Sequence, residues 1–236
     1  MTDKPQSNDF PAWLGWLLGV MMLLVVITLL GLASHRKVRA TDRRAAVAEI
    51  IKRGGEVYYR DTEHSGQELR VTKKEHYGKS ISSLDFENAG IDDAGLEQLK
   101  EHLAALTKVW NLSLKGTQVT DAGLERVKVF TELMSLDLRG TQVTDAGLAH
   151  LKELPNLHWL KLDDTQITNA GLVHLSELQS LGVLSLGPNI TDAGLAHLTD
   201  LKTLEWLVLI DTQATDEGRK NLQQALPNCH ITETWE

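Results

Sequence analysis

The sequence predicts an α/β solenoid, a right-handed β-α superhelix with a parallel concave sheet, preceded by one N-terminal transmembrane helix. Three observations predict it. A 19-residue segment, Leu133 to Leu151 (LMSLDLRGTQVTDAGLAHL), recurs along the chain. The copies are spaced almost evenly. Ala12 to Ala33 contains no charged residue.

The segment recurs at Leu157 to Leu175, in a one-residue-shorter form at Leu181 to Leu198, and at Leu204 to Leu222. Backward along the chain it recurs at Val109 to Val127 and, more divergently, from Ile81. The Asp or Asn of each D/N-A-G-L-like turn falls at Asp93, Asp121, Asp145, Asn169, Asp192 and Asp216, giving steps of 28, 24, 24, 23 and 24 residues. Each unit reads L-x-x-L-x-L-x-x-T-x-V/I, a strand and turn, then T-D-A-G-L-x-x-L, a helix. Leu133, Leu136 and Leu138 point inward from the strand and its approach, and Leu148 and Leu151 line one helix face. One unit alone leaves its apolar side in water, so the units must stack around a shared core.

Thr117, Thr141, Thr165 and Thr212, with Asn189 in the short copy, occupy the bend after each strand. There a hydroxyl both donates and accepts, which suits a structural hydrogen-bond ladder. Thr120, Thr144, Thr168, Thr191 and Thr215 sit where a helix N-cap belongs, and the Asp that usually follows suits the positive helix end. Gly123, Gly147, Gly171 and Gly194 read as close-packing positions. The 28-residue step adds about one helical turn, and the 23-residue step loses a residue at Gly187-Pro188-Asn189.

The chain divides into a short polar N-terminus (1–11), the apolar span (12–33), a juxtamembrane helix and N-terminal cap (34–80), six repeats (81–226) and a C-terminal cap (227–236). As a helix the span reaches about 33 Å, enough to cross a bilayer, with Trp13 and Trp16 near one interface. A cleaved signal peptide is the rival reading, since Gly31-Leu32-Ala33 offers small residues. Against it, the leading residues lack a positive stretch and the apolar run is long. Arg36, Lys37, Arg39, Arg43 and Arg44 follow the span, which places the repeats on the cytoplasmic side of a single-pass protein. In the cap, Ala45, Ala46, Val47, Ile50 and Ile51 form a helix face, and Val57 and Tyr59 share one side of a strand. QELRVT offers a second strand, and ALPNCHITETWE a closing turn and strand.

The net charge of −8 is uneven: residues 34–53 carry about +5, so the repeats are strongly acidic. That disfavours a nucleic-acid partner. The single cysteine, Cys229, excludes an intrachain disulfide and reads as a buried cap residue. His150, His174 and His197 repeat at one helix position, but neighbouring helices lie about 8–10 Å apart, too far for shared zinc ligation at about 2.1 Å. Asp163-Asp164 lacks the oxygen-rich spacing of a calcium loop. With no phosphate loop, G-x-S-x-G or H-E-x-x-H, the sequence points to no enzyme, cofactor or metal.

The residues between the leucines face out from the concave sheet in columns. One column reads Ser83, Asn111, Ser135, Trp159, Val183, Trp206; the next reads Asp85, Ser113, Asp137, Lys161, Ser185, Val208. A third reads Glu87, Lys115, Arg139, Asp163, Gly187, Ile210. The far half is apolar: Trp159, Val183, Trp206, Val208 and Ile210 are expected to form an exposed patch beside Asp137, Arg139 and Lys161. Aromatics and Arg are enriched at binding hot spots, so this patch is the candidate protein-binding site. The alternatives are that the tail with Trp235 folds back over it, or that it self-associates.

The units LMSLDLRGTQVTDAGL and LHWLKLDDTQITNAGL resemble the ribonuclease-inhibitor-like leucine-rich repeats, closest to the cysteine-containing subtype of F-box proteins, with Thr in place of Cys. The layout is similar to small membrane-anchored repeat proteins of planctomycete-type bacteria. The shared features are an N-terminal span, a basic A-x-x-x-I-x-x-x-G-G-x-V segment from Ala46, and T-D-A-G-L repeats. The expectation is a membrane-anchored protein that binds an unidentified protein partner on its concave face. The F-box resemblance implies an alternative, a substrate-recognition adapter of a ubiquitin-ligase-like complex. A self-associating structural or envelope protein is the third reading.

Overall fold

A computed structural model describes residues 43–60, 68–71, 81–104, 106 and 108–235. The chain divides into two units, Met1–Thr41 and Asp42–Glu236, and the elements named here belong to the second. The apolar span 12–33 lies outside the described residues; among those described, no helix is long and apolar enough to cross a membrane.

Helix α1 (43–52) buries Ala46, Val47 and Ile50, while Ala45, expected on the same face, is exposed. Strands β1 (Glu56–Arg60) and β2 (Glu68–Arg70) follow, and Val57 and Tyr59 are both buried as their alternation requires. The repeats contribute β3 (Ile81–Asp85), β4 (Asn111–Ser113), β5 (Ser135–Asp137), β6 (Trp159–Leu162), β7 (Val183–Leu186) and β8 (Trp206–Leu209). A closing strand, β9 (His230–Thr232), joins them. The sheet runs β2-β1-β3-β4-β5-β6-β7-β8-β9. From β3 to β9 every pairing is parallel; β1 is antiparallel to both its neighbours, so the parallel sheet expected from the repeats is sealed by an inverted hairpin.

The opposite wall is helical but mixed. The long first unit carries the 12-residue α2 (Asp93–Ala104), as its extra turn predicted. The tighter units carry α3 (Asp121–Val127), α4 (Asp145–Leu148) and α5 (Asp192–Leu195), with 3-10 turns after α4 and α5. The Asn169 unit is 3-10 throughout, over Gly171–Glu177. A 3-10 turn rises about 2.0 Å per residue against 1.5 Å, so it covers the same wall with fewer residues. The last unit ends in α6 (Asp216–Ala225). Leu133, Leu136, Leu138, Leu148 and Leu151 are all buried in one continuous core, and Cys229 is buried at its end.

The bend threonines satisfy their own turns and do not form a ladder between repeats. Thr117, Thr141 and Thr165 each donate a hydroxyl proton to the carbonyl three residues back, at 2.6 Å. Asn189 alone of this column reaches a neighbouring repeat, donating to the Thr165 carbonyl at 3.3 Å. The same bends hold Asn88, Gly116, Gly140, Asp164 and Asp211 at φ between +50° and +65°. Gly, Asn and Asp are the residues that tolerate this conformation. The shorter turn at Gly187-Pro188-Asn189 has no such residue.

The ladder lies elsewhere. Each Asp of a D-A-G-L turn accepts both the backbone N–H and the hydroxyl proton of the next unit's cap threonine. Asp93 takes Thr120 at 2.8 and 2.5 Å, and Asp121 takes Thr144 at 2.8 and 2.6 Å. Asp145 takes Thr168 at 2.7 and 2.6 Å, and Asp192 takes Thr215 at 2.7 Å twice. Asn169 substitutes an amide: its Oδ1 accepts the Thr191 N–H and its Nδ2 donates to Thr191 Oγ1, both at 2.9 Å. The cap threonines also accept from the helix start at Ala122, Ala170, Ala193 and Gly218, while Thr144 makes no side-chain cap bond.

The two donations from Thr215 hold the Asp192 carboxyl below its ordinary value. A carboxyl depressed on folding stabilises the fold above its unfolded value, and that contribution is lost as pH falls through the folded one. Asp192→Asn, which copies the natural Asn169 rung, is therefore expected to flatten part of the fall in melting temperature below about pH 4. Calorimetry across that range checks it; an unchanged acid limb would mean the charge adds nothing to the rung.

Candidate protein-interaction surface

The concave columns are in register as the repeats require. Ser83, Asn111, Ser135, Trp159, Val183 and Trp206 are successive partners, and β9 adds His230. Asp85, Ser113, Asp137, Lys161, Ser185 and Val208 form the second column, ending in Thr232. The third column continues past the strand ends, where Lys115 pairs with Glu87 at 2.6 Å.

At the middle of this face Asp137 gathers two cations. Arg139 reaches it with Nε at 2.9 and 3.1 Å and Nη2 at 2.6 Å, and the Lys161 ammonium stands 3.8 Å away. The Asp137 carboxylate pushes the Arg139 guanidinium pKa up, against the opposing effect of burial. A bidentate, half-buried pair of this kind fixes both side chains in one geometry.

The apolar half differs from its expected form. Val183 and Val208 are buried, with 8% and 0% exposure, and Trp206 and Ile210 are half-buried. Val183 and Val208 do not belong to the leucine core, because their strand alternation points them to the concave side. Val183 lies in register between Trp159 and Trp206, while Val208 lies beside Thr232 of β9, and the chain's end also reaches other residues of this face. The Trp206 ring packs edge-on against His230 at 4.4 Å, and the Trp235 ring receives the Lys161 ammonium at 5.0 Å from its centroid. Trp235 also shares a cavity with Ile210, Arg139 and Asp163. Of the five apolar residues proposed as an exposed patch, Trp159 alone remains in solvent, 45% exposed.

Trp159 has a neighbour that the column reading missed. Met134, one residue before β5, is 48% exposed, and its carbonyl accepts the N–H groups of both His158 and Trp159 at 2.8 Å. Trp110, the equivalent residue one repeat earlier, lines a cavity of about 360 Å³ with Met134 and His158. Met134 and Trp159, both exposed, thus stand at the N-terminal ends of β5 and β6, with the half-buried Trp110 next to them at β4. The sequence signal was the second position of L-x-x-L, where Trp110 and Met134 stand in an otherwise mostly polar column.

Residues 131–152, one strand-bend-helix unit, match the family model described as a leucine rich repeat. That unit is a leucine-rich repeat, and its copies along the chain share the same pattern. The repeat array also resembles solved structures. An internalin of Listeria monocytogenes is 21% identical, with a TM-score of 0.46 over 70% of this chain and 51% of its own. Internalin C2 of the same organism is 24% identical, with a TM-score of 0.48 over 82% of this chain and 85% of its own. A leucine-rich repeat protein of Leptospira interrogans is 24% identical, with a TM-score of 0.44 over 56% of this chain and 33% of its own. The chain therefore spans about half of the first of these and a third of the last. No curated protein matches the sequence.

Proposed function

We propose that this protein is a membrane-tethered interaction module that binds a protein partner through the concave side of its leucine-rich repeats. The observation that carries the reading is the exposed pair Trp159 and Met134 beside the ordered Asp137–Arg139–Lys161 cluster. An exposed aromatic next to an ordered charged cluster combines the residue types in which binding energy concentrates. The tether rests on the uncharged run 12–33, and the cytoplasmic placement of the repeats on the basic residues after it. The ligase-adapter alternative has less support, since the described residues 43–60 and 68–71 hold one helix and two strands where an F-box needs three helices.

The test is cross-linking mass spectrometry in native membranes, comparing the natural chain with Trp159→Ala plus Met134→Ala. A captured partner is expected to fall about tenfold or more, the effect of losing roughly 1.4 kcal/mol or more at a hot spot. Unchanged capture would sink the site. Protease protection of the repeats in sealed vesicles checks the topology.

A further inference from the structure

Two buried side-chain polar atoms lack a hydrogen-bond partner among the described residues, Asp163 Oδ1 and Trp206 Nε1. Both lie on the concave face, where the tail covers it. Asp163 is the more telling. It is 4% exposed, and only its other oxygen is engaged, accepting the Ser185 hydroxyl proton. Burial pushes its carboxyl above the ordinary range, while Ser185 and Arg139 act the other way. A buried carboxylate with an empty acceptor is costly, and a charged donor relieves that cost most fully.

Asp163 lines a cavity of about 250 Å³ together with Lys115, Arg139, Asp164, Ile210 and Trp235. The cations around it are already engaged: Lys115 by Glu87, and Arg139 by Asp137. Lys161, nearby, stands between Asp137 and the Trp235 ring. The carboxylates of this belt, Asp85, Glu87, Asp137, Asp163 and Asp164, outnumber those three cations. The remaining vacancy is therefore for positive charge. The volume lies below the range of about 300–1,000 Å³ that holds drug-sized ligands, so it suits the end of a side chain. Trp235 supplies the aromatic face on which a planar cation stacks. It is 40% exposed and outside the leucine core, so this wall of the cavity faces solvent.

We propose that this cavity takes the guanidinium of an arginine presented by the partner, with Asp163 as acceptor and the Trp235 indole as stacking wall. The assignment rests on the protein being an interaction module, and it names the chemistry of one contact that module makes. A planar fork of donors matches a carboxylate with a free oxygen better than a compact ammonium does.

The full-length protein in detergent is titrated with N-acetyl-argininamide, with N-acetyl-lysinamide and N-acetyl-glutaminamide as controls, and binding is followed by ligand-detected NMR. Saturable binding of the arginine probe is expected, at least tenfold weaker in Asp163→Asn and in Trp235→Ala. Asp163→Asn keeps the Ser185 contact, and Trp235 is peripheral, so both variants are expected to retain the parent circular dichroism. If either is unfolded, Trp235→Phe is the substitute: it keeps an aromatic wall and is expected to keep most of the binding. No saturable binding, equal binding of lysine or glutamine probes, or full binding by Asp163→Asn would overturn the proposal. Because Trp159 and Met134 are untouched, such a failure is separable from failure of the partner site.

Discussion

Gly171→Ala is expected to destabilise the array by about 3 kcal/mol, whereas an alanine usually stabilises a helical segment by about 0.5–1 kcal/mol relative to glycine. The reversal follows from the seam between repeats. A Cβ at position 171 would overlap Asp145 Oδ1 and come within 2.9 Å of its Cγ and 3.1 Å of its Cα. The carboxylate cannot turn away cheaply, because it holds the Thr168 N–H and hydroxyl at 2.7 and 2.6 Å. Either the rung breaks, losing charge-assisted bonds of about 1.5–3 kcal/mol, or the two units separate, at an overpacking cost of about 1–3 kcal/mol. The measurement is equilibrium urea denaturation. A change under about 0.5 kcal/mol, the scatter of an ordinary surface substitution, would show that the seam yields more easily than its geometry implies. Asp145→Ala in the same background separates the two costs: it clears space for the methyl, so the double variant is expected to cost less than the sum of the singles.

Leu160→Ala is expected to cost about 2–5 kcal/mol, the range for emptying a fully packed leucine site. Leu160 has 0% exposure and stands in register between Leu136 and Leu184, which are also fully buried. Its loss removes contacts on both sides, in an array where each unit is held chiefly by its two neighbours. For an array of this size a loss near 3 kcal/mol lowers the melting temperature by about 6–12 °C. Thermal unfolding followed by circular dichroism reads the shift, and a drop of less than about 2 °C would be incompatible with a continuous leucine core.

Much of this was legible in the sequence because it is local and periodic. The spacing of the D/N-A-G-L turns located every strand from β3 to β8, and the column reading placed Trp159 opposite Val183 and Lys161 opposite Ser185 in their observed register. The cap helix, the Glu56–Arg60 strand and the closing strand were also evident from their apolar patterns. Two features were not legible, for different reasons. The Asp carboxylates were read against the helix beside them, yet four of their partners are threonines 23 or 27 residues further on. No single unit displays a bond that exists only between units. The exposed patch failed at Val183 and Val208 because periodicity specifies which way a side chain points, not what returns to cover it. Val208 lies beside Thr232 of β9, which falls outside the repeating pattern. The left-handed bend column was not anticipated either, although its residue types, Asn88, Gly116, Gly140, Asp164 and Asp211, are those that tolerate positive φ.

The seam also bears on how such a chain changes length. Four of the five junctions use the same carboxylate–threonine pairing and the Asn169 junction its amide form, and the last carboxylate of the series, Asp216, has its side chain 99% exposed and pairs with Arg219 of its own helix at 2.6 Å. It presents to solvent the half-rung that every earlier unit presents to its successor. A duplicated stretch of about 24 residues inserted within the series would therefore meet a prepared neighbour on each side, with no compensating change elsewhere. Growth and shortening by whole units leave every remaining junction intact, while an insertion of arbitrary length would misalign the carboxylates with the threonines they serve.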